Sequence, residues 1–316
     1  MNTIELPNYI YTYAWSEDEL SLCHLEMRSL FGFVAPSSQL ISPIPIDPSR
    51  SPFIKERIEV LYIGNTLSDI YKQVVEIHLI EATFKIIFVK LNDLLPAEKI
   101  EYNERRTIER ELGILITGEA DVHHPDHVFG IITLGGRWYF GHYMKNKAVW
   151  LHHMKKPRNY SIALTTRLAR AVANIAVPMP LGIKAIDPCC GIGTVLVEAL
   201  SMGIDIVGRD INHFTVRGAR ENLAHFNLAG EVVVGAIANI SSYYDAAIVD
   251  MPYNLISSIT TEQQLSILKH ARRIAKKVVV ISIDMIDDMI VTAGFTIVDR
   301  GVAKKGFFSR QVLVCM

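Results

Sequence analysis

The stretch Asp187-Pro188-Cys189-Cys190-Gly191-Ile192-Gly193-Thr194 lies between two apolar segments. The first, Ile183 to Ile186, has the pattern of a strand, and the second, Thr194 to Leu200, has the pattern of a helix. Gly191 and Gly193 let the backbone turn tightly and approach a ligand closely. The first N–H groups of the helix would point at that ligand. The stretch therefore predicts a site for an anionic or nucleotide-like ligand.

A second strand pattern follows about twenty residues later and ends in an acid. It runs from Ile204 to Asp210. A carboxylate at this spacing suits the two hydroxyls of a ribose, because it can accept a hydrogen bond from each. A helix pattern then runs from Thr215 to His225, and strand patterns run from Glu231 to Val234 and from Asp245 to Asp250.

Strands that alternate with helices predict an α/β fold, in which helices cover both faces of a mostly parallel sheet. Ligands of such sheets bind beyond the carboxyl ends of the strands. Asp187, Asp210 and Asp250 all fall at these ends, so we expect them at one site.

The glycine stretch, followed by Asp250-Met251-Pro252-Tyr253, resembles the class I methyltransferases that use S-adenosylmethionine to modify an exocyclic amino group. The resemblance covers about 135 residues, from Gly182 to the end. It implies a Rossmann-like domain whose sheet is mostly parallel and ends in an antiparallel strand. Strand patterns at Phe295 to Asp299 and Arg310 to Cys315 match that closing hairpin. Met251 replaces the commonest residue of the motif and favours the guanine-N2 branch.

The resemblance also assigns site residues. The predicted cofactor-binding residues are Asp187, Pro188, Cys189, Gly191, Gly193, Thr194, Asp210, Ile211 and Ser161. The predicted catalytic residues are Asp250, Met251, Pro252 and Tyr253.

The chemistry of amine methylation explains this motif. The Asp250 carboxylate and a backbone carbonyl near Met251 or Pro252 would accept the two N–H groups of the amine and localise its lone pair. Pro252 stiffens the loop by fixing φ. Tyr253 offers a face on which a base can stack, worth roughly 1–3 kcal/mol. Catalysis would then be mostly positioning, and it would require no metal.

The front half has a different character. A strand pattern from Asn8 to Ala14 and a helix pattern from Asp18 to Phe31 come first, and the proline-rich stretch from Ser37 to Pro52 is predicted to be an irregular loop. A strand at Phe84 to Val89, a helix at Glu101 to Leu112 and a hairpin through Gly135-Gly136 follow. The later elements, with the stretch from Asp121 to Phe129 between the helix and the hairpin, resemble the α+β THUMP module of the archaeal and eukaryotic enzymes that methylate guanosine 10 of tRNA on N2. The opening strand and helix resemble the small domain that precedes THUMP in those enzymes. The resemblance implies RNA as the partner, with tRNA the expected class.

These patterns predict three regions. Residues 1–150 would form the small α+β and THUMP-like RNA-binding region, residues 151–180 a linker with a connecting helix, and residues 181–316 the methyltransferase domain. By resemblance, Tyr160 and Ser161 of the linker would line the cofactor site.

Composition agrees with a two-domain protein of 316 residues. Apolar runs are too short for a membrane span, and the N-terminus lacks a basic secretory segment. Four cysteines without paired spacing favour a reducing cytoplasm. The net charge of −1 argues against RNA binding, but residues 1–150 carry −6 and residues 151–316 carry +5. Basic clusters occur at Lys155, Lys156 and Arg158 and, on a predicted helix, at Arg272, Arg273, Lys276 and Lys277.

Several residues have simpler interpretations. Cys189 and Cys190 are predicted to pack rather than to bind metal or react. Phe214 is predicted to lie in the core of its helix, with a position at the adenine pocket as the alternative. The histidines from His123 to His153 match no standard zinc spacing.

Two alternatives stay open for the function. The same amine motif serves methyltransferases of adenine N6 and other amino groups of nucleic acids. Ala236 replaces the acid that usually contacts the adenine of the cofactor, and Asn254 replaces a common glycine. These departures leave a catalytically inactive RNA-binding paralogue as the second alternative. The oligomeric state is not predicted.

Overall fold

The computed structural model describes residues 9–91, 99–160, 163–252, 259–305 and 308–316. The chain divides into two compact units. The first comprises Met1–Ala14, Ala35–Ser49 and Phe53–Lys147, and the second comprises Trp15–Val34, Arg50–Pro52 and Ala148–Met316. The division at residue 147 lies close to the predicted boundary. Residues 15–34 and 50–52, which the prediction places in the front region, belong to the second unit.

Over its described residues, the first unit is a seven-stranded sheet with two α-helices. The strands are β1 (Tyr9–Tyr13), β2 (Gln39–Ser42), β3 (Ile54–Gly64), β4 (His78–Phe88), β5 (Thr117–Ala120), β6 (His127–Leu134) and β7 (Arg137–Lys145). Their order in the sheet is β2-β1-β3-β7-β6-β4-β5. Helices α2 (Leu67–Val74) and α3 (Tyr102–Leu115) bury apolar side chains against Phe84, Phe129 and Phe140 of the sheet.

The predicted hairpin of this unit is confirmed. Gly135 and Gly136 have φ values of 57° and 75°, the left-handed conformation that a two-residue hairpin turn requires. They join β6 to β7, with Leu134 paired to Arg137. The expectation of an irregular loop at residues 37–52 is wrong in part, because β2 lies within it and pairs with β1. The prolines around β2 mask its short alternating pattern.

The second unit is a doubly wound α/β domain. Its strands are β8 (Lys184–Asp187), β9 (Asp205–Asp210), β10 (Val232–Val234), β11 (Tyr244–Asp250), β12 (Ala275–Ser282), β13 (Ile297–Lys305) and β14 (Phe308–Cys315). Its helices are α1 (Leu20–Phe31), α4 (Trp150–His153), α5 (Thr166–Ala176), α6 (Thr194–Ser201), α7 (His213–His225), α8 (Thr261–Ile274) and α9 (Asp287–Thr292).

The sheet of this unit has the order β10-β9-β8-β11-β12-β14-β13. The first five strands are parallel, and β14 and β13 form an antiparallel hairpin at the edge. The predicted fold class is therefore confirmed. Lys276 and Lys277 lie on β12, so the prediction that they share a helix with Arg272 is wrong. The β-branched run after them favours a strand.

Helix α1 is held in the second unit by polar contacts. Glu26 is completely buried and accepts hydrogen bonds from Ser51 Oγ at 2.5 Å and Asn174 Nδ2 at 2.8 Å. Burial raises the pKa of Glu26 to about 7. At the surface, Arg28 pairs with Asp299 of β13 at 2.8 Å. These contacts explain why a helix from the front of the sequence belongs to the C-terminal domain.

A buried ionic group joins α4, α5 and α6. The Glu198 carboxylate is completely buried between Arg170 Nη1 at 2.7 Å and His153 Nδ1 at 2.8 Å. Arg170 also donates to Ser201 Oγ at 3.0 Å. Because α6 begins at the glycine stretch, this group fixes the helix that follows the predicted cofactor loop. Among the described residues, no helix is long and apolar enough to cross a membrane.

Candidate active site

The glycine stretch forms the turn between β8 and α6, as predicted. Gly191 and Gly193 have φ values of 52° and 75°, which favour glycine. A Cβ atom on Gly191 would meet nothing within 4 Å, so this backbone borders open space. A Cβ on Gly193 would lie 3.0 Å from the Ala219 Cβ of α7. The first glycine thus leaves room for a ligand, and the second allows close helix packing.

Three carboxylates project from one face of the sheet beside this turn. Asp187 pairs with Gly208, so Asp210, two residues further along β9, shares its face. Ile186 pairs with Ala247 on the other side, which places Asp250 on the same face as Asp187. The strand order reverses between β8 and β11, which is where such folds bind ligands.

The environment of Asp187 is unfavourable to a further negative charge. Its side chain is 3% exposed. Burial, and then the charges of Asp250 and Asp210, raise its pKa well above the ordinary value, although the Cys189 N–H donates to it at 3.2 Å. The site therefore favours a cation or a ligand rich in hydroxyl donors. Of the two expected ligand classes, this environment favours a nucleotide-like ligand over an anion.

The Asp210 carboxylate holds the glycine turn and can still accept further hydrogen bonds. Its Oδ2 accepts from the Gly191 N–H at 2.9 Å, and its Oδ1 accepts from the Asn212 N–H at 2.9 Å. Each carboxylate oxygen can accept a second hydrogen bond. The predicted contact with two ribose hydroxyls is compatible with this arrangement. Ile211 follows at the surface and is 75% exposed.

The Asp250 carboxylate lies at the carboxyl end of β11. Burial raises its pKa to about 7, and the positive charge of Arg310 on β14 opposes this rise. Asp250 pairs with Ile281 and Ile281 with Val312, so Arg310, two residues before Val312, shares the face of Asp250. The Oδ1 atom of Asp250 is buried without a hydrogen-bond partner among the described residues.

The next two residues of the motif are held through hydrogen bonds of their own backbone atoms. The Met251 side chain is 1% exposed, and its N–H donates to the Ile281 carbonyl at 2.9 Å. The Pro252 carbonyl accepts from Gln264 Nε2 of α8 at 3.1 Å. Tyr253 and Ser161 lie outside the described residues, as does Asn254, so their roles stay predictions.

The remaining loop residues are buried or partly buried. Pro188 and Cys190 are buried, and the partly buried Cys189 packs against the apolar core. Burial raises the pKa of both thiols, which makes them poor nucleophiles and supports the packing interpretation. Thr194 is 5% exposed, and its Oγ1 has no partner in the described part of the chain.

Phe214 is 67% exposed, so its predicted core position is wrong. It lies in the first turn of α7 beside His213, where the helix starts at the surface. The alternative, that it borders an adenine pocket after Asp210, stays a prediction. The structure also brings in Gln264 and Arg310, which no motif of the sequence marked. Over the described residues, no group of His, Cys, Asp or Glu is arranged to hold a metal ion.

Residues 154–282 match the UPF0020 family, described as an RMKL-like methyltransferase domain. The resemblance of the second half to methyltransferases is therefore confirmed, whereas the THUMP assignment stays a prediction. A tRNA (guanine(10)-N2)-dimethyltransferase of Methanothermobacter thermautotrophicus is 29% identical over 171 residues, which are 51% of each chain. A tRNA (guanine(10)-N(2))-methyltransferase of Saccharomyces cerevisiae is 29% identical over 53% of this chain and 44% of its own length.

The chain thus spans about half the length of these curated relatives. Among solved structures, TrmN from Thermus thermophilus aligns with 97% of this chain and 98% of its own, with 15% identity and a TM-score of 0.49.

Proposed function

We propose that the chain is an S-adenosylmethionine-dependent RNA methyltransferase that modifies the exocyclic N2 of a guanine in tRNA. One observation carries the proposal. The buried Asp250 Oδ1 lacks a hydrogen-bond partner among the described residues, beside the strand that leads into the glycine turn. A buried acceptor of this kind needs a donor, and an exocyclic amine offers two N–H groups.

The residues of the turn fit S-adenosylmethionine better than a phosphate-bearing ligand. Asp187, Asp210 and Asp250 would repel a phosphate, whereas they attract a sulfonium cation. Asp210 can still accept from two ribose hydroxyls. Thr194 Oγ1 offers a second buried polar atom without a partner in the described residues, and Gly191 borders open space. These residues would hold the cofactor.

When bound, S-adenosylmethionine supplies an electrophilic methyl group on a positively charged sulfur. Asp250, once ionised, would accept one N–H of the target amine. The Pro252 carbonyl keeps a second lone pair beside its bond from Gln264 and would accept the other N–H. These two hydrogen bonds localise the lone pair of the nitrogen and aim it at the methyl group. Asp250 can then take up the proton that the nitrogen loses.

Guanine in tRNA is the proposed target because the curated relatives carry that activity in their names. The first unit would contact the RNA, as its resemblance to THUMP implies. The predicted cytoplasmic location belongs to the same proposal and agrees with four free cysteines.

The experiment is methyl transfer from labelled S-adenosylmethionine to unmodified tRNA transcripts, followed by mass spectrometry of the nucleosides. We expect N2-methylguanosine with the wild type and a loss of about 100-fold or more in Asp250→Asn. Asp245→Asn, which changes an exposed carboxylate at the other end of β11, is the matched control and should retain activity.

The outcomes separate the alternatives. N6-methyladenosine in the digest would favour the adenine enzyme instead. Binding of RNA without any methyl transfer, together with no measurable binding of the cofactor, would favour the inactive paralogue. Transfer that is unchanged in Asp250→Asn would refute the assigned role of this carboxylate.

A further inference from the structure

Asn222 of α7 is completely buried and binds two separate segments of the chain. Its Oδ1 accepts from the Arg158 N–H at 2.9 Å. Its Nδ2 donates to the Arg158 carbonyl at 3.0 Å and to the Ile192 carbonyl at 2.9 Å. Both amide donors and the carbonyl acceptor are therefore used, which few other side chains could reproduce.

The two segments are the glycine turn and the linker, which lie apart in the sequence and are both predicted to line the cofactor site. Ile192 is the residue between Gly191 and Gly193 of the turn. Arg158 lies three residues before Ser161 in the linker. The side chain of Asn222 therefore joins the linker backbone to the glycine turn.

The rest of α7 supports the same junction. A Cβ atom on Gly218, one turn before Asn222, would lie 3.4 Å from Ile192 Cγ2 and 3.5 Å from Arg158 Cβ. The helix face is thus packed directly against both segments. At the surface, Glu221 forms an ion pair with the Arg158 side chain. The helix also begins two residues after Ile211, directly beyond the third part of the predicted site.

We propose that Asn222 is a positioning residue for cofactor binding, which fixes the linker at Arg158 against the turn at Ile192. It need not touch the cofactor itself. Without its three hydrogen bonds, only side-chain packing and an exposed ion pair would hold the linker against the turn, and the cofactor would have to order both segments more fully on binding. This inference rests on the proposed cofactor site.

The test is calorimetric titration of S-adenosylmethionine into wild type, Asn222→Ala and Asn222→Asp. We expect Asn222→Ala to weaken binding by about tenfold, equivalent to about 1.4 kcal/mol. Asn222→Asp keeps the size and the acceptor but turns a second acceptor toward two carbonyls, so it should weaken binding at least as much. Glu221→Gln weakens only the exposed ion pairs with Arg158 and Arg217 and should stay within about twofold of the wild type.

Two further readouts separate positioning from general destabilisation. In methyl transfer, the Asn222 variants should raise KM for the cofactor and leave kcat within about threefold. Trypsin should cleave after Arg158 faster in Asn222→Ala than in Glu221→Gln, and saturating cofactor should slow that cleavage in the wild type.

The results can overturn the inference independently of the proposed function. If the wild type binds the cofactor and both folded Asn222 variants bind it equally well, Asn222 has no positioning role. If Asn222→Ala does not fold, Asn222→Asp decides. Cofactor binding and a rate of cleavage after Arg158 that both equal those of the wild type would then overturn the inference. If the wild type binds no S-adenosylmethionine, the proposed function itself fails.

Discussion

Replacing Asp250 with asparagine should make the second unit more stable while it lowers methyl transfer by about 100-fold or more. Asp250 has an ordinary pKa of 3.8, which burial raises to about 7 in the folded protein. The folded protein therefore binds this proton more tightly than the unfolded chain does. Ionisation of Asp250 then opposes folding, and the loss of stability grows as pH rises from the unfolded pKa to the folded one.

The size of the effect follows from the two pKa values. Their difference of about three units corresponds to about 4 kcal/mol at high pH, and about 2.5 kcal/mol of this develops between about pH 5 and pH 8. Asparagine does not titrate, so the stability of the variant should lack this decline. Removal of the Asp250 charge also lowers the pKa of Asp187, which that charge helps to raise. Both effects make the variant more stable than the wild type as pH rises.

The measurement is urea unfolding of the cofactor-free protein from about pH 5 to pH 8. Trp15 and Trp150 lie in the second unit and Trp138 in the first, so a Trp138→Phe background makes tryptophan fluorescence report on the second unit alone. The free-energy difference between Asp250→Asn and wild type should increase by about 2.5 kcal/mol over this range. Asp245→Asn, which replaces an exposed carboxylate of the same strand, is the control.

A difference between Asp250→Asn and wild type that is constant across the pH range would refute the reasoning. It would mean that the buried carboxyl binds its proton no more tightly than the unfolded chain does. A variant that is less stable than wild type at pH 8 would refute it as well, since Asp250 would then stabilise the fold in its ionised form.

Two other substitutions test charges near the site. Glu198→Gln should destabilise the second unit by roughly 3–5 kcal/mol in urea unfolding, because it leaves the buried Arg170 without its counter-charge; a loss below about 1 kcal/mol would contradict this. Arg310→Gln removes the cation that lowers the pKa of Asp250, so the acidic limb of the pH profile of kcat/KM should move to higher pH. An unshifted profile would show that Arg310 does not act on Asp250.

The sequence predicts the glycine turn and the three acids well because the chemistry of the site constrains residue type and spacing together. Asp187, Asp210 and Asp250 each end a strand with a clear apolar pattern, so their placement follows from the topology of a parallel sheet. The same logic cannot find Asn222. Its partners are backbone atoms of Arg158 and Ile192, and backbone atoms leave no signature in the sequence.

Other features depend on tertiary partners. The pattern of α1 indicates a helix with one buried face, but it does not say which unit covers that face. The buried Glu26 and its partners Ser51 and Asn174 decide this, and they lie far apart in the sequence. Similarly, the first turn of α7 has an apolar residue, Phe214, that propensity places in the core although the helix begins at the surface.

The location of α1 has a consequence for protein synthesis. Arg28 leaves the ribosome well before its partner Asp299, which lies 271 residues later in the chain. All the strands of the first unit lie before Ala148, so that sheet can form while the remainder of the chain is still being translated. Helix α1 must wait for β13, and its apolar face stays exposed to chaperones during that interval. A gene fragment that begins at Ala148 would encode the glycine turn and the acids, but not the helix that completes their domain.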